Sequence, residues 1–262
     1  GVLRLGLGAA LLWDWQAGNL LAPELSFPDA AVQWMQFATA FLLIFKRTLP
    51  LAGGMLFVLY GVAVSRFGFF HMLDYLMYLG IGGYFIANAS PRPEVKRAAL
   101  PLMYVSLGFC LIWLGIEKLV YPGWAGMLLE RHPVLALGFE HKFFVQSAAF
   151  VEMSLGFMIM ACVQQRLLSV TITIFFFLTT LIFGRQEVVG HTLIHAVLIV
   201  FLIAGSGEAK PPLEWLKGVR LRVSGAAAGF AVFVGLMLMP YLYGANMLFQ
   251  TSQMDAGNLQ EA

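Results

Sequence analysis

The chain is poor in charge. Lys, Arg, Asp and Glu make up 11% of its 262 residues, against about 25% in soluble domains. A soluble globule of this size needs longer polar surface segments than that. The net charge of +2 gives no electrostatic footprint for nucleic acid. Cysteine is scarce. Cys110 and Cys162 are the whole complement, both lie in apolar stretches, and they read as small packing residues rather than a disulfide or redox pair. No P-loop, dinucleotide fingerprint, CxxC pair, HExxH or nucleophile elbow occurs, so no motif-based enzyme class is indicated and enzymatic activity is left open. Position 1 is Gly rather than Met, from which we expect a processed or incomplete start.

What is present is apolar. Hydrophobic residues make up 60% of the chain, the mean hydropathy is +0.81, and runs near 20 residues recur along its length. That is the pattern of an all-α, polytopic membrane protein. We read about nine spans, at about 1–14, 30–46, 49–66, 70–89, 98–118, 142–163, 166–184, 188–206 and 223–244. "ASPRPEVKR" (89–97) and "GSGEAKPPLEWLKGVRLR" (205–222) are linkers too polar and Pro-rich to stay in lipid, and "NLLAPELSFPD" (19–29) breaks the first span from the second. "LLERHPVLALGFEHKFF" (128–144) reads as a semi-polar external loop, and the end, "TSQMDAGNLQEA", as a polar tail.

Lys and Arg set the orientation. Lys46, Arg47, Arg92, Lys96, Arg97, Arg166, Lys210, Lys217, Arg220 and Arg222 fall in alternate connections. Only Arg66, Lys118, Arg131, Lys142 and Arg185 fall in the others. The first set is expected in the cytoplasm, with the N-terminus inside and the C-terminus in the periplasm. The expected location is a bacterial-type inner membrane.

The chain also repeats itself. "LGLGAALLW" (5–13) matches "VSLGFCLIW" (105–113), Gln36 matches Glu152, Arg47 matches Arg166, and "HMLDY" (71–75) matches "HTLIH" (191–195). We expect two tandem four-helix units, 1–90 (degenerate) and 98–206. Residues 207–262 then supply an amphipathic linker, a ninth helix and the tail.

Ionisable groups gather at "GRQEVVGHTLIH" (184–195). Charge at lipid depth costs about 2.5–3.5 kcal/mol per group, so each needs a partner or a purpose. Glu187, His191 and His195 lie at i, i+4 and i+8 on one helix face. Glu152 is expected at a depth comparable to His195, about 15 Å at 1.5 Å per residue. Glu117 and Lys118 close the helix before it. We expect Glu117, Glu152, Glu187, His191 and His195 to share one outward-opening pocket. The first unit offers a poorer set: Asp14, Gln36, His71, Asp74 and Tyr75. Candidate ligand-binding residues are therefore Glu117, Lys118, Glu152, Glu187, His191, His195 and His71, with none assigned to catalysis or to a metal. Interhelical hydrogen bonding alone, a quinone or other amphiphile, a metal and a haem held by His71 with His191 all fit such a cluster. Quinone is the favoured ligand.

The rest reads as architecture. Trp13, Trp15, Trp113, Trp124 and Trp215 are expected at membrane interfaces, "GIGG" (80–83) at a close helix contact, and "TIFFFLTT" (173–180) in lipid or core.

"WLGIEKLVYP" (113–122), "FFVQSAAFVEMSLGFMI" (143–159) and "FGRQEVVGHTLIHAVLIVFL" (183–202) together resemble the DoxX/DoxD-like family of small four-helix membrane proteins. The likeness covers about 100–206 and rests on Glu117, Lys118, Glu152 and His191. The first unit resembles the family more weakly, lacking the Glu-Lys pair and carrying Gln36 for Glu152. The family takes its name from a membrane subunit associated with a terminal quinol oxidase and with thiosulfate:quinone oxidoreduction. Other members are linked to redox and detoxification complexes, and distant relatives act as cargo receptors or assembly chaperones. The resemblance implies a membrane subunit of a redox or electron-transfer complex, in contact with lipid and with other membrane or periplasmic subunits. The alternative is a non-catalytic scaffold or assembly subunit.

Overall fold

A computed structural model describes residues 1–183, 185–207, 209 and 216–260, with side chains described except at 124, 181–187 and 248–260. Every named element among the described residues is helical. In chain order they are α1 (Val2–Ala17), α2 (Ala30–Leu42), α3 (Leu49–Phe67), α4 (Phe69–Met72), α5 (Met77–Ala89), α6 (Pro93–Val120), α7 (Pro122–Arg131), α8 (His141–Met160), α9 (Gln165–Phe183), α10 (Arg185–Ala204) and α11 (Val219–Gln260). Short 3₁₀ turns stand at Lys46–Thr48, Leu73–Tyr75 and Pro133–Ala136.

Local chemistry sets the helix ends. The Asp29 side chain accepts from Val32 N–H at 3.0 Å and caps α2. α1 stops at Gly18, whose φ of 75° suits a residue without a Cβ. Among the described residues four helical stretches are long and apolar enough to cross a bilayer. They are Lys46–Phe67, Pro93–Val120, His141–Met160 and Val219–Met247, of 22, 28, 20 and 29 residues. Gln165–Thr180 and Val188–Ala204 are apolar but shorter. This is a helical protein with the candidate spans of a multi-pass membrane protein.

One expected span is interrupted. Residues 70–89 form not one helix but α4, a 3₁₀ turn and then α5. "HMLDY" covers the end of α4 and the 3₁₀ turn, so His71 lies in the short α4 and not in one continuous span with α5. The external loop expected at 128–144 carries the end of α7, a 3₁₀ turn and the start of α8.

The chain forms two compact units, Gly1–Cys110 with Leu155–Pro212 and Leu111–Ser154 with Leu213–Ala262. In the first, α1 packs on α2 and α10, α3 on α2 and α5, and α9 on α10. Small residues permit these contacts. A Cβ on Gly53 would meet the Gly82 carbonyl oxygen at 2.5 Å, and a Cβ on Gly80 would overlap Ser106, so the "GIGG" stretch is a close helix contact. Tyr104 packs edge-on against Phe201 at 4.5 Å and donates its hydroxyl to the Gly205 carbonyl. In the second unit Trp113, 3% exposed, packs on Tyr241 at 4.9 Å. Trp113 is therefore a core residue and not the interfacial anchor its sequence position suggests. Phe150 meets Phe230 at 5.9 Å, and Leu129, Ala136 and Val145 form a small apolar cluster. Cys110 and Cys162 are buried and unbridged.

Candidate functional site

Three polar groupings stand out, and each belongs to a single unit. The first lies in the second unit. Lys118, near the end of α6, donates to Glu152 Oε2 on α8 at 2.5 Å, with side-chain exposures of 34% and 20%. Glu117 is half-buried and close enough to feel both charges. The pairing is possible because Gly115, one turn earlier, lets α6 approach the Ala149–Met153 turn of α8. A charge pair in such a setting compensates two groups that would each be costly alone.

The second grouping lies in the first unit, on α9 and α10. His191 and His195 are one turn apart, with ring centroids separated by 6.4 Å. Phe176 of α9 packs against His191 at 4.5 Å and stands edge-on to His195 at 6.4 Å. Phe176 is thus a contact residue of the cluster, while its neighbours Phe175 and Phe177 are more than half exposed. The Nδ1 atom of His195 is buried and has no hydrogen-bond partner among the described residues. Glu187, expected on the same face, lies outside the residues whose side chains are described. His71 keeps different company. It is exposed, its Nδ1 lies 3.8 Å from Asp74 Oδ2, and its ring meets Tyr75 at 5.8 Å. Among the described residues no group of three or more His, Cys, Asp or Glu is placed to hold a metal ion.

The third grouping is one that sequence reading missed in part. Residues 18–29 do not merely link α1 to α2. Leu20, Leu21 and Leu25 are 0%, 0% and 1% exposed, so the loop is tucked into the first unit. Two glutamines of α2 hold it there. Gln33 Nε2 donates to the carbonyls of Asn19 (3.0 Å) and Phe27 (2.9 Å). Gln36 Nε2 donates to those of Leu11 (3.2 Å) and Asn19 (3.1 Å), and Gln36 Oε1 accepts from Leu21 N–H at 2.8 Å. Tyr78 of α5 donates to the Leu21 carbonyl. Asp14, 1% exposed, lies under this loop, with Asn19 and Glu24 beside it. The signal for these contacts was three leucines in an eleven-residue linker, too apolar for an exposed loop.

Compared with protein-family models, with curated proteins and with solved structures, the chain matches none of them.

Proposed function

We propose that this chain is a multi-pass subunit of a redox or electron-transfer complex in a bacterial-type inner membrane, and that it binds a quinone-type ligand beside His191 and His195. The observation that carries the reading is His195 Nδ1, a buried ring nitrogen with no hydrogen-bond partner among the described residues, set at the edge of the Phe176–His191 aromatic pair. A quinone carbonyl needs a donor, and its ring needs an aromatic or apolar wall. An imidazole beside phenylalanine supplies both. In the other unit Glu117, Lys118 and Glu152 remain candidates for ligand contact in their own right.

The proposal includes the nine-span topology, with the N-terminus cytoplasmic and the C-terminus periplasmic, and descent from two tandem DoxX-like units. One parallel supports the duplication. Gln36 ties α2 to Asn19, just past the end of α1, while Glu152 ties α8 to Lys118, near the end of α6. Each matched residue ties its helix to the chain near the end of the preceding long helix, Gln36 through main-chain groups and Glu152 through an ion pair.

The test is extraction of the purified protein with organic solvent, followed by chromatography and a visible spectrum. Co-purified quinone is expected, lost in His195→Ala while that variant still inserts and stays monodisperse. A colourless protein with no quinone would favour the scaffold reading. That alternative has its own support. Only 6% of the apolar window in Val219–Met247 is buried within the structure, which leaves a long face for lipid or for another subunit.

A further inference from the structure

Beneath the 18–29 loop the first unit gathers oxygen acceptors, and among the described residues no ion pair is formed with them. Asp14 is 1% exposed, and its Oδ1 has no hydrogen-bond partner among the described residues. No Lys, Arg or His among those residues forms an ion pair with it. Gln33 is 8% exposed, and its Oε1 is likewise without a partner. Asn19 contacts both residues. Its N–H donates to the Asp14 main-chain carbonyl at 2.8 Å, its side chain hydrogen-bonds the Asp14 carboxyl, and its carbonyl accepts from Gln33 Nε2 at 3.0 Å. Because Gln33 spends both amide hydrogens on Asn19 and Phe27, its remaining oxygen can only accept. A second carboxylate, Glu24, is close to Asp14 and reaches toward α10, where a Cβ on Gly190 would meet its Oε1 at 3.9 Å. The end of α1 adds the negative pole of a helix dipole.

We infer that Asp14 and Gln33, beneath the loop that Asn19 anchors, form a binding site for one monovalent metal cation, sodium. Four contributions share one sign: a buried carboxylate, an acceptor-only amide oxygen, the carbonyl end of a helix and a nearby acid. The Asn19 side chain meets part of the Asp14 carboxyl, and Oδ1 is the oxygen left without a partner among the described residues, which is costly for a buried carboxylate. The enclosure of Asp14 leaves no route for an organic amine, so the occupant is a bare ion. One carboxylate balances the single charge of a monovalent ion, whereas Ca²⁺ takes about 6–8 oxygens and Mg²⁺ demands near-ideal octahedral geometry. A loop of non-helical backbone folded in among helices is a setting in which membrane proteins hold sodium. The site is independent of the histidine reading.

The experiment is equilibrium binding of ²²Na⁺ to the full chain in detergent at pH 8, with ionic strength held constant by choline chloride. One saturable site per chain is expected, displaced by unlabelled sodium and not by choline, together with a sodium-dependent rise in Tm. Asp14→Asn should abolish binding. Gln33→Leu and Glu24→Gln should weaken it, the former by about 10- to 100-fold, as for loss of a supporting ligand at other ion sites. Gly54→Ala, at an open position in the same unit, should leave it unchanged. If Asp14→Asn does not fold, the other two variants decide. Absence of saturable sodium binding, affinity unaltered in both Gln33→Leu and Glu24→Gln, or a Tm that follows pH but not sodium would overturn the assignment. The last result would mean that the carboxyl holds only a proton.

Discussion

Gln36 makes three hydrogen bonds from a position with 0% exposure, so no solvent stands ready to replace them. Gln36→Leu keeps the volume and strands the Leu21 N–H, while the Asn19 carbonyl keeps its bond from Gln33. We expect a loss of about 1–3 kcal/mol, seen as a lower Tm in detergent with membrane insertion unchanged. Sequence matching drew attention to Gln36 as the counterpart of Glu152 and was silent about the work it does. An amide and a carboxylate look alike in a repeat alignment. Only the backbone around Gln36, with a donor at Leu21 and acceptors at Leu11 and Asn19, shows why the amide is needed. Lys118 and Glu152 were legible as site candidates because a charge in an apolar run is conspicuous; their pairing across 34 positions was not, since nothing local encodes it. A double-mutant cycle on Lys118→Met and Glu152→Gln should return a coupling of about 0.6–2 kcal/mol. Near-zero coupling would show that the two charges act separately.

At the scale of elements, hydrophobic runs and Pro- or Gly-bearing linkers located most of the helices to within a few residues. The signal is strong because a membrane helix must be apolar over its whole length. It failed at 67–77, where "FGFFHMLDYLM" keeps the apolar composition of a span while the backbone breaks into α4 and a 3₁₀ turn. Composition reports burial in an apolar medium and says little about where a helix is interrupted. At 19–29 it placed the break between α1 and α2 correctly and gave no sign that three leucines there are buried. The glycines of α3 offer a sharp comparison. A Cβ at Gly53 would sit 2.5 Å from the rigid Gly82 carbonyl oxygen, whereas one at Gly54 meets nothing within 4 Å. Gly53→Ala should therefore force α3 and α5 apart and cost about 1–3 kcal/mol. Gly54→Ala should be neutral or stabilising by up to about 1 kcal/mol. Thermal denaturation of the two variants side by side checks the contrast, and equal effects would contradict the close contact.

For the whole molecule, the lysine and arginine distribution makes a directional statement that chemical labelling can check. Single cysteines introduced for Arg92 or Lys217 should react only with reagents that reach the cytoplasm, and one introduced for Ala125 with impermeant reagent added outside. The two native cysteines are buried and should contribute little background. The reverse pattern would invert the proposed topology. Helical class and membrane character were open to sequence reading because both follow from composition. The packing of α1 against α10 was not, because nothing in either segment names its partner. A Cβ on Gly6 would overlap Ala196, 190 positions further on. This contact sets a timetable for biosynthesis. The Gln33 and Gln36 ties join residues no more than 25 apart and are able to form as soon as α2 has left the ribosome. The face of α1 that receives α10 must wait for nearly the entire chain to be made. Until then the small-residue seam of α1 stays uncovered, and a chain terminated before residue 185 would never close it.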